Sequence, residues 1–223
     1  MSQRKYAKLV KDRKACCACS GLTNPSLVDG GSFDSKQIGP WTRWQGNLSA
    51  ELMVVGQDWG DIAYFQRNEG FDDESNRTNR TLIKLLKSIK INIGSPRSDS
   101  QNFVFFTNAI LCLKKGGLQS AVQSEWFRNC SRFLRQQVEI VAPLVVVTLG
   151  NHALQAVHSA FDLPKVRLAE AVADADGEIL FDNTRLLAAY HCGARVLNTH
   201  RPLDKQLNDW KRIGKVFRRR RKK

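Results

Sequence analysis

The sequence predicts an α/β fold in which a parallel sheet is covered by helices on both faces. Three observations lead there. Four short apolar runs, Leu52 to Val55, Phe103 to Phe106, Leu144 to Leu149 and Leu186 to Tyr190, have the length and continuity of strands buried on both faces. Helical periodicity separates these runs, and no internal repeat breaks the order. Strands that alternate with helices form parallel sheets, because each crossover helix returns over one face.

Each helix has its own signal. Thr81 to Ile91 places Leu82, Leu85, Leu86 and Ile89 on one face. Phe127, Cys130, Phe133, Leu134, Val138 and Val141 follow helical spacing until Pro143 stops the pattern. A third helix is expected from after Gly150 to about Ala160, and a terminal one over Leu203 to Phe217. In such sheets ligands sit beyond the carboxyl ends of the strands, where Gln57, Asp58, Asn108 and His191 all fall.

Composition narrows the function. The 223 residues, 42% hydrophobic, suffice for one substantial core. Residues 1–217 are read as one domain and 218–223 as a basic tail. No apolar run approaches the roughly 20 residues that span a bilayer, and no secretory signal opens the chain, so a cytoplasmic monomer with no membrane partner is expected. In that compartment six cysteines point to metal ligands, catalytic groups or buried thiols before disulfides. The formal charge of +14 is concentrated at the two ends. Residues 1–19 carry six basic side chains and one acid, and residues 211–223 carry nine and none, while the rest sums to zero. A neutral body with basic ends suits a polyanion such as DNA, although RRRRKK could equally be a solvated tail.

Cys16 and Cys19, two residues apart, could present two sulfurs to one metal centre, with Cys17 as a competitor. Cys112 follows a strand and Cys130 lies on the next helix. Spacing alone leaves open a cubane iron–sulfur cluster, a zinc ion or free buried thiols.

Five segments, in order, carry a resemblance to a known family: GQDWGD at 56–61, TNAILC at 107–112, EWFRNCSRFLRQQVEIVAP at 125–143, VVVTLGNHALQA at 145–156 and YHCG at 190–193. Together they resemble the uracil-DNA glycosylase superfamily, and within it the iron–sulfur branch, family 4. The resemblance implies a three-layer α/β/α sandwich with a central, mainly parallel four-stranded sheet, and a base excision repair enzyme acting on DNA. It also implies a [4Fe-4S] cluster on Cys16, Cys19, Cys112 and Cys130, with zinc as the alternative, in an N-terminal segment of the single domain. Cys192 is read as a non-ligand.

The same resemblance assigns site roles. Breaking the bond between deoxyribose and uracil builds positive charge on the sugar and negative charge on the base, so the site must complement both. Asp58 matches the carboxylate that faces the sugar and its water, with Asp61 as runner-up. Family 4 usually has Gly-Glu-Ala-Pro-Gly here, so GQDWGD departs from that branch. His191 matches the donor to the uracil oxygen, in a His-Cys-Gly turn where relatives have His-Pro-Ser, and His200 is its alternative. Asn108 matches the amide that reads the base, with Gln57 beside it. Phe71, or Phe65, is expected to stack on the base. Arg195, Val196 and Leu197 form a candidate wedge, and Lys114 and Lys115, next to two glycines, a candidate phosphate seat. The departures from the family motifs leave another deaminated base, hypoxanthine or xanthine, and a non-catalytic damage-binding module as alternatives.

Overall fold

The computed structural model describes residues 2–39, 48–73, 75–93, 104–117 and 120–222. Phe103 and Lys223, which belong to the expected second strand and basic tail, lie outside the described residues.

The central sheet is built from β2 (Leu52–Gly56), β3 (Val104–Asn108), β5 (Val145–Leu149), β6 (Glu178–Phe181) and β7 (Thr184–Ala189), in the order β3-β2-β5-β7-β6. Four strands are parallel, and the sheet has five strands rather than the four expected, because β6 pairs antiparallel with β7 at one edge. A two-residue turn at Asp182 and Asn183 joins them, with Asp182 in the left-handed region (φ 45°). A separate two-stranded ribbon pairs β1 (Leu22–Thr23) with β4 (Leu113–Lys114).

The strands alternate between two apolar layers. Met53, Val55, Phe105, Val146 and Leu186 face one layer, whose helical cover includes Leu9 of α1 (Ser2–Lys14), Phe133 and Val138 of α4 (Ser124–Val141) and Leu154 of α5 (Asn151–Ala160). Leu52, Val54, Phe106, Val147 and Leu187 face the other, covered by Leu82 and Leu85 of α3 (Arg77–Ser88) and by Trp210 and Ile213 of α8 (Leu203–Arg221). Burial on both faces is why these strands read as unbroken apolar runs. Three short helices, α2 (Ile62–Arg67), α6 (Leu168–Ala173) and α7 (Ala194–Thr199), fill connections. Among the described residues no helix is long and apolar enough to cross a membrane.

The basic run does not form a tail. α8 continues through Arg221, so position 217 marks no structural boundary. Arg219 pairs with Asp176 at 2.5 Å, Arg221 pairs with Glu51 at 2.5 Å, and Arg220 donates to the Asn183 carbonyl. Glu51 and Asn183 precede β2 and β7, so this end of the helix lies against the amino ends of the parallel strands.

The first helix is fixed by a buried ion pair. Arg13 meets Asp34 at 2.8 Å with both side chains 1% exposed, and the same guanidinium donates to Asn24 Oδ1 and to the Gln37 carbonyl. Lys14 Nζ also reaches Asp34, at 3.1 Å, so it is loss of the carboxylate that leaves the buried guanidinium uncompensated, at a cost of about 3–5 kcal/mol. Asp34→Leu should therefore lower the urea midpoint sharply, while Asp34→Leu combined with Arg13→Met should recover much of the loss.

Candidate active site

The site begins where β2 stops. Gly56 lies opposite Asn108 in the β2–β3 register, and beyond that pair the two loops stay hydrogen-bonded: Ala109 N–H to Gly56 O at 2.9 Å, Ile110 N–H to Gln57 O at 2.9 Å and Lys114 N–H to Gly60 O at 3.0 Å. Glycine at position 56 leaves the Asn108 amide its place, since a Cβ there would sit 2.4 Å from Asn108 Oδ1 and displace it. The loop then passes into α2, where Asp61 accepts from the Tyr64 N–H at 2.8 Å as the N-cap. Asp61 is thereby spent on the helix start and does not line the pocket.

Gln57, Asp58, Asn108 and His191 meet in one pocket of about 560 Å³ at the carboxyl ends of the strands. Asp58 is held from two sides. Gln57 Nε2 donates to its Oδ2 at 2.6 Å, and Lys114 Nζ lies 3.3 Å from its Oδ1. Lys114 is 3% exposed, which corrects its expected place in a phosphate seat: β4 turns it inward as the partner of Asp58. Lys115, one residue on, is exposed.

His191 follows β7. Burial holds its imidazole below the ordinary histidine range, against a smaller upward pull from the negative charge of Asp58. The Gly193 N–H donates to Nδ1 at 3.0 Å, so the neutral ring carries its hydrogen on Nε2. Gly193 suits this turn, since a Cβ there would lie 2.9 Å from the same Nδ1. Cys192 turns the other way, fully buried, with its thiol 3.5 Å from the Thr78 carbonyl. Among the described residues Asn108 Oδ1 is buried without a hydrogen-bond partner, an acceptor left unspent.

The expected stacking ring is not in this pocket. Phe71 lines a separate cavity with Phe33 and Ser35, because the turn at Gly70 (φ 76°) packs against the Phe33 carbonyl. Phe65 is buried against Trp59 in a local cluster. The aromatic side chains that do line the pocket are Trp59, Phe106 and Tyr190. Trp59 is fixed by ring contacts with Tyr64 and Phe65 at 5.0 and 5.6 Å. Asp72 also lines the pocket. It accepts from the Tyr64 hydroxyl, and burial raises its pKa. The candidate wedge is the short helix α7: Arg195 is exposed, Leu197 is half-buried, and Val196 and His200 reach the pocket wall. His152, absent from the sequence expectations, lines the pocket from the first turn of α5, with Nδ1 2.5 Å from Gln57 Oε1.

Cys16, Cys17, Cys19, Cys112 and Cys130 line a second cavity of about 100 Å³. Among the described residues no three or more His, Cys, Asp or Glu side chains gather closely enough to hold a single ion, so these sulfurs ring a space instead of meeting at a point. Burial is the main cause that raises the thiols, Cys112 to about 12 and Cys130 to about 11, and the neighbouring sulfurs add to it. The Cys130, Cys16 and Cys19 sulfurs all act on Cys112. Asn129 Nδ2 is 3.4 Å from Cys19 Sγ, and Arg132 Nη2 is 3.8 Å from Cys16 Sγ. An all-thiol set with donors to its sulfurs fits an iron–sulfur cluster, whose positive irons would compensate thiolates that the fold alone leaves unfavourable.

The depressed His191 gives a pH dependence with a definite sign. An unfolded chain takes up this proton as the pH falls through about 6.5, whereas the folded chain resists to lower pH. The unfolded state then binds more protons, so this contribution to stability is present at neutral pH and is lost in acid. The melting temperature of the wild type should fall more between about pH 7 and about pH 5 than that of His191→Gln.

Residues 44–213 match the family model described as the Uracil DNA glycosylase superfamily. The chain is 29% identical over 177 residues to a type-5 uracil-DNA glycosylase of Pyrobaculum aerophilum, covering 76% of this chain and 71% of that protein. It is 27% identical over 172 residues to a type-4 uracil-DNA glycosylase of Archaeoglobus fulgidus, covering 77% and 79%. With a parallel sheet whose carboxyl ends carry the pocket, and a family match over most of its length, the chain belongs to the uracil-DNA glycosylase superfamily.

Proposed function

We propose that the protein hydrolyses the bond between uracil and deoxyribose in DNA, acting on a base rotated out of the stack. The observation that carries this reading is the meeting of Asp58, Asn108 and a neutral His191 in one pocket. Rotating the base costs a few kcal/mol of unstacking. Leu197 and Arg195 on α7 would hold the gap, the first as a wedge and the second on a phosphate.

Within the pocket, uracil offers an acceptor, a donor and an acceptor along one edge. His191 Nε2–H would donate to the oxygen that gains charge as the bond breaks. Asn108 Oδ1, unspent in the fold, would accept from the ring N–H, a contact that cytosine lacks. Asp58 would face the sugar as it becomes cationic. Because both its oxygens already hold donors, its charge is fixed in place before the substrate arrives, and no reorganisation is needed during the reaction. Trp59, Phe106 or Tyr190 takes the stacking position first expected of Phe71.

Cys16, Cys19, Cys112 and Cys130 would hold a [4Fe-4S] cluster, whose chemistry here is to crosslink the N-terminal segment, the loop after β3 and α4. One observation favours a second reading for the base. Asp72, Asn76 and Asn79 give the pocket wall further polar groups, which a hypoxanthine or xanthine could meet.

Matched oligonucleotides bearing uracil, hypoxanthine or xanthine decide between the readings. Uracil release should fall on the order of 100-fold or more in both Asp58→Asn and His191→Ala. Tight binding by cluster-loaded protein with no release of any base would leave a binding module instead. Protein purified without oxygen should be brown and carry about four irons per chain. Cys112→Ser should lose iron, and Cys17→Ser should keep it.

A further inference from the structure

We propose that His152 is the general base of the reaction, taking the proton from the attacking water at Nε2. The inference rests on the glycosylase reading above and gives a role to a residue that lies inside the segment 145–156 but was assigned none there.

Hydrogen-bond direction fixes which nitrogen of His152 carries the hydrogen. A carboxylate only accepts, so the group that Gln57 turns to Asp58 Oδ2 at 2.6 Å is its Nε2 amide nitrogen. That leaves Gln57 Oε1, an acceptor, facing His152 Nδ1 at 2.5 Å. His152 must therefore carry its hydrogen on Nδ1, and the neutral ring keeps its lone pair on Nε2. His191 has the opposite arrangement, because the Gly193 N–H occupies its Nδ1. One pocket thus holds two imidazoles in opposite tautomers, one set to donate and the other to accept.

The two halves of the reaction need these two states. As the bond between the sugar carbon and the uracil nitrogen breaks, the bonding pair leaves with uracil, and His191 Nε2–H stabilises the growing anion. Water then forms its bond to the sugar carbon, and one of its protons has to leave. Gln57 and Lys114 each engage one oxygen of Asp58, which holds the carboxylate in place facing the sugar. His152 Nε2 is the lone pair left on the same hydrogen-bonded chain, and among the described residues no partner occupies it. The charged groups along this chain are Asp58, reached through Gln57, and Lys114 beyond it. On its other side the ring packs against Phe127 of α4, with centroids 5.6 Å apart, which holds the plane of the imidazole. His152 is exposed at the pocket rim, so water reaches it.

The test is single-turnover uracil release by full-length, cluster-loaded protein. His152→Ala should slow the chemical step on the order of 100-fold, with DNA affinity and melting temperature close to wild type. His152→Gln, which can keep a hydrogen bond to residue 57 but has no basic nitrogen, should be as slow as His152→Ala. Added imidazole should restore much of the rate to His152→Ala and none to Asp58→Asn. Wild-type rates in His152→Ala, recovery in His152→Gln, or failure of imidazole rescue would each overturn the role while leaving the glycosylase reading intact. Absence of uracil release by the wild type would overturn both.

Discussion

The structure depends on the way two loops are stitched together beyond the ends of their strands. The β2–β3 register brings Gly56 level with Asn108, and hydrogen bonds from residues 109, 110 and 114 to residues 56, 57 and 60 then carry the pairing past the sheet. Glycine at 56 makes this possible, because any larger side chain would occupy the position of the Asn108 amide. The loop that carries Asp58 is therefore fixed to the loop that carries Cys112. Cys112 lies between two of these contacts and two residues before Lys114, the partner of Asp58. A group bound by the cysteines would tighten the same segment that positions the Asp58 carboxylate, so a cofactor there and the proposed catalytic loop would share one piece of backbone.

This arrangement also accounts for the electrostatics of the pocket. An unpaired buried carboxylate would be costly, and here Lys114 balances Asp58 while Gln57 fixes its second oxygen. In the proposed role His191 would need no charge, because a neutral donor serves a developing oxyanion, and burial lowers its pKa. The site is thus complementary to charge that appears only during the reaction. The same burial is the source of the acid sensitivity expected from His191.

Much of this was legible in the sequence, for identifiable reasons. The four parallel strands lie between two apolar layers, so their residues had to be continuously apolar, and the residues at their ends had to face the pocket. α1 was not legible, because its buried face includes Arg13 among Tyr6, Leu9 and Val10, and a basic helix looks like a solvated end. β6 could have been found from the Asp-Asn turn between two short runs. Lys114 was misread because a lysine beside glycines resembles a phosphate loop, and nothing local announces that β4 turns it inward. His152 and Gln57 are 95 residues apart, so the meaning of the histidine exists only in the fold.

The charge distribution takes a different meaning once the fold is known. The formal +14 suggests that both basic ends grip DNA. Yet α8 runs from the pocket side, where Gln206 meets the His191 carbonyl, down to the amino ends of the strands, where Arg220 and Arg221 contact Asn183 and Glu51. A duplex whose base enters the pocket lies at the opposite end of the sheet. On the proposed reading, phosphate contacts would come from cations around the mouth, such as Lys115 and Arg195, and counterion release would follow the number of phosphates neutralised there. The salt dependence of specific binding will accordingly reflect a few cations near the pocket, while the end of α8 adds to the long-range field that draws DNA to the protein.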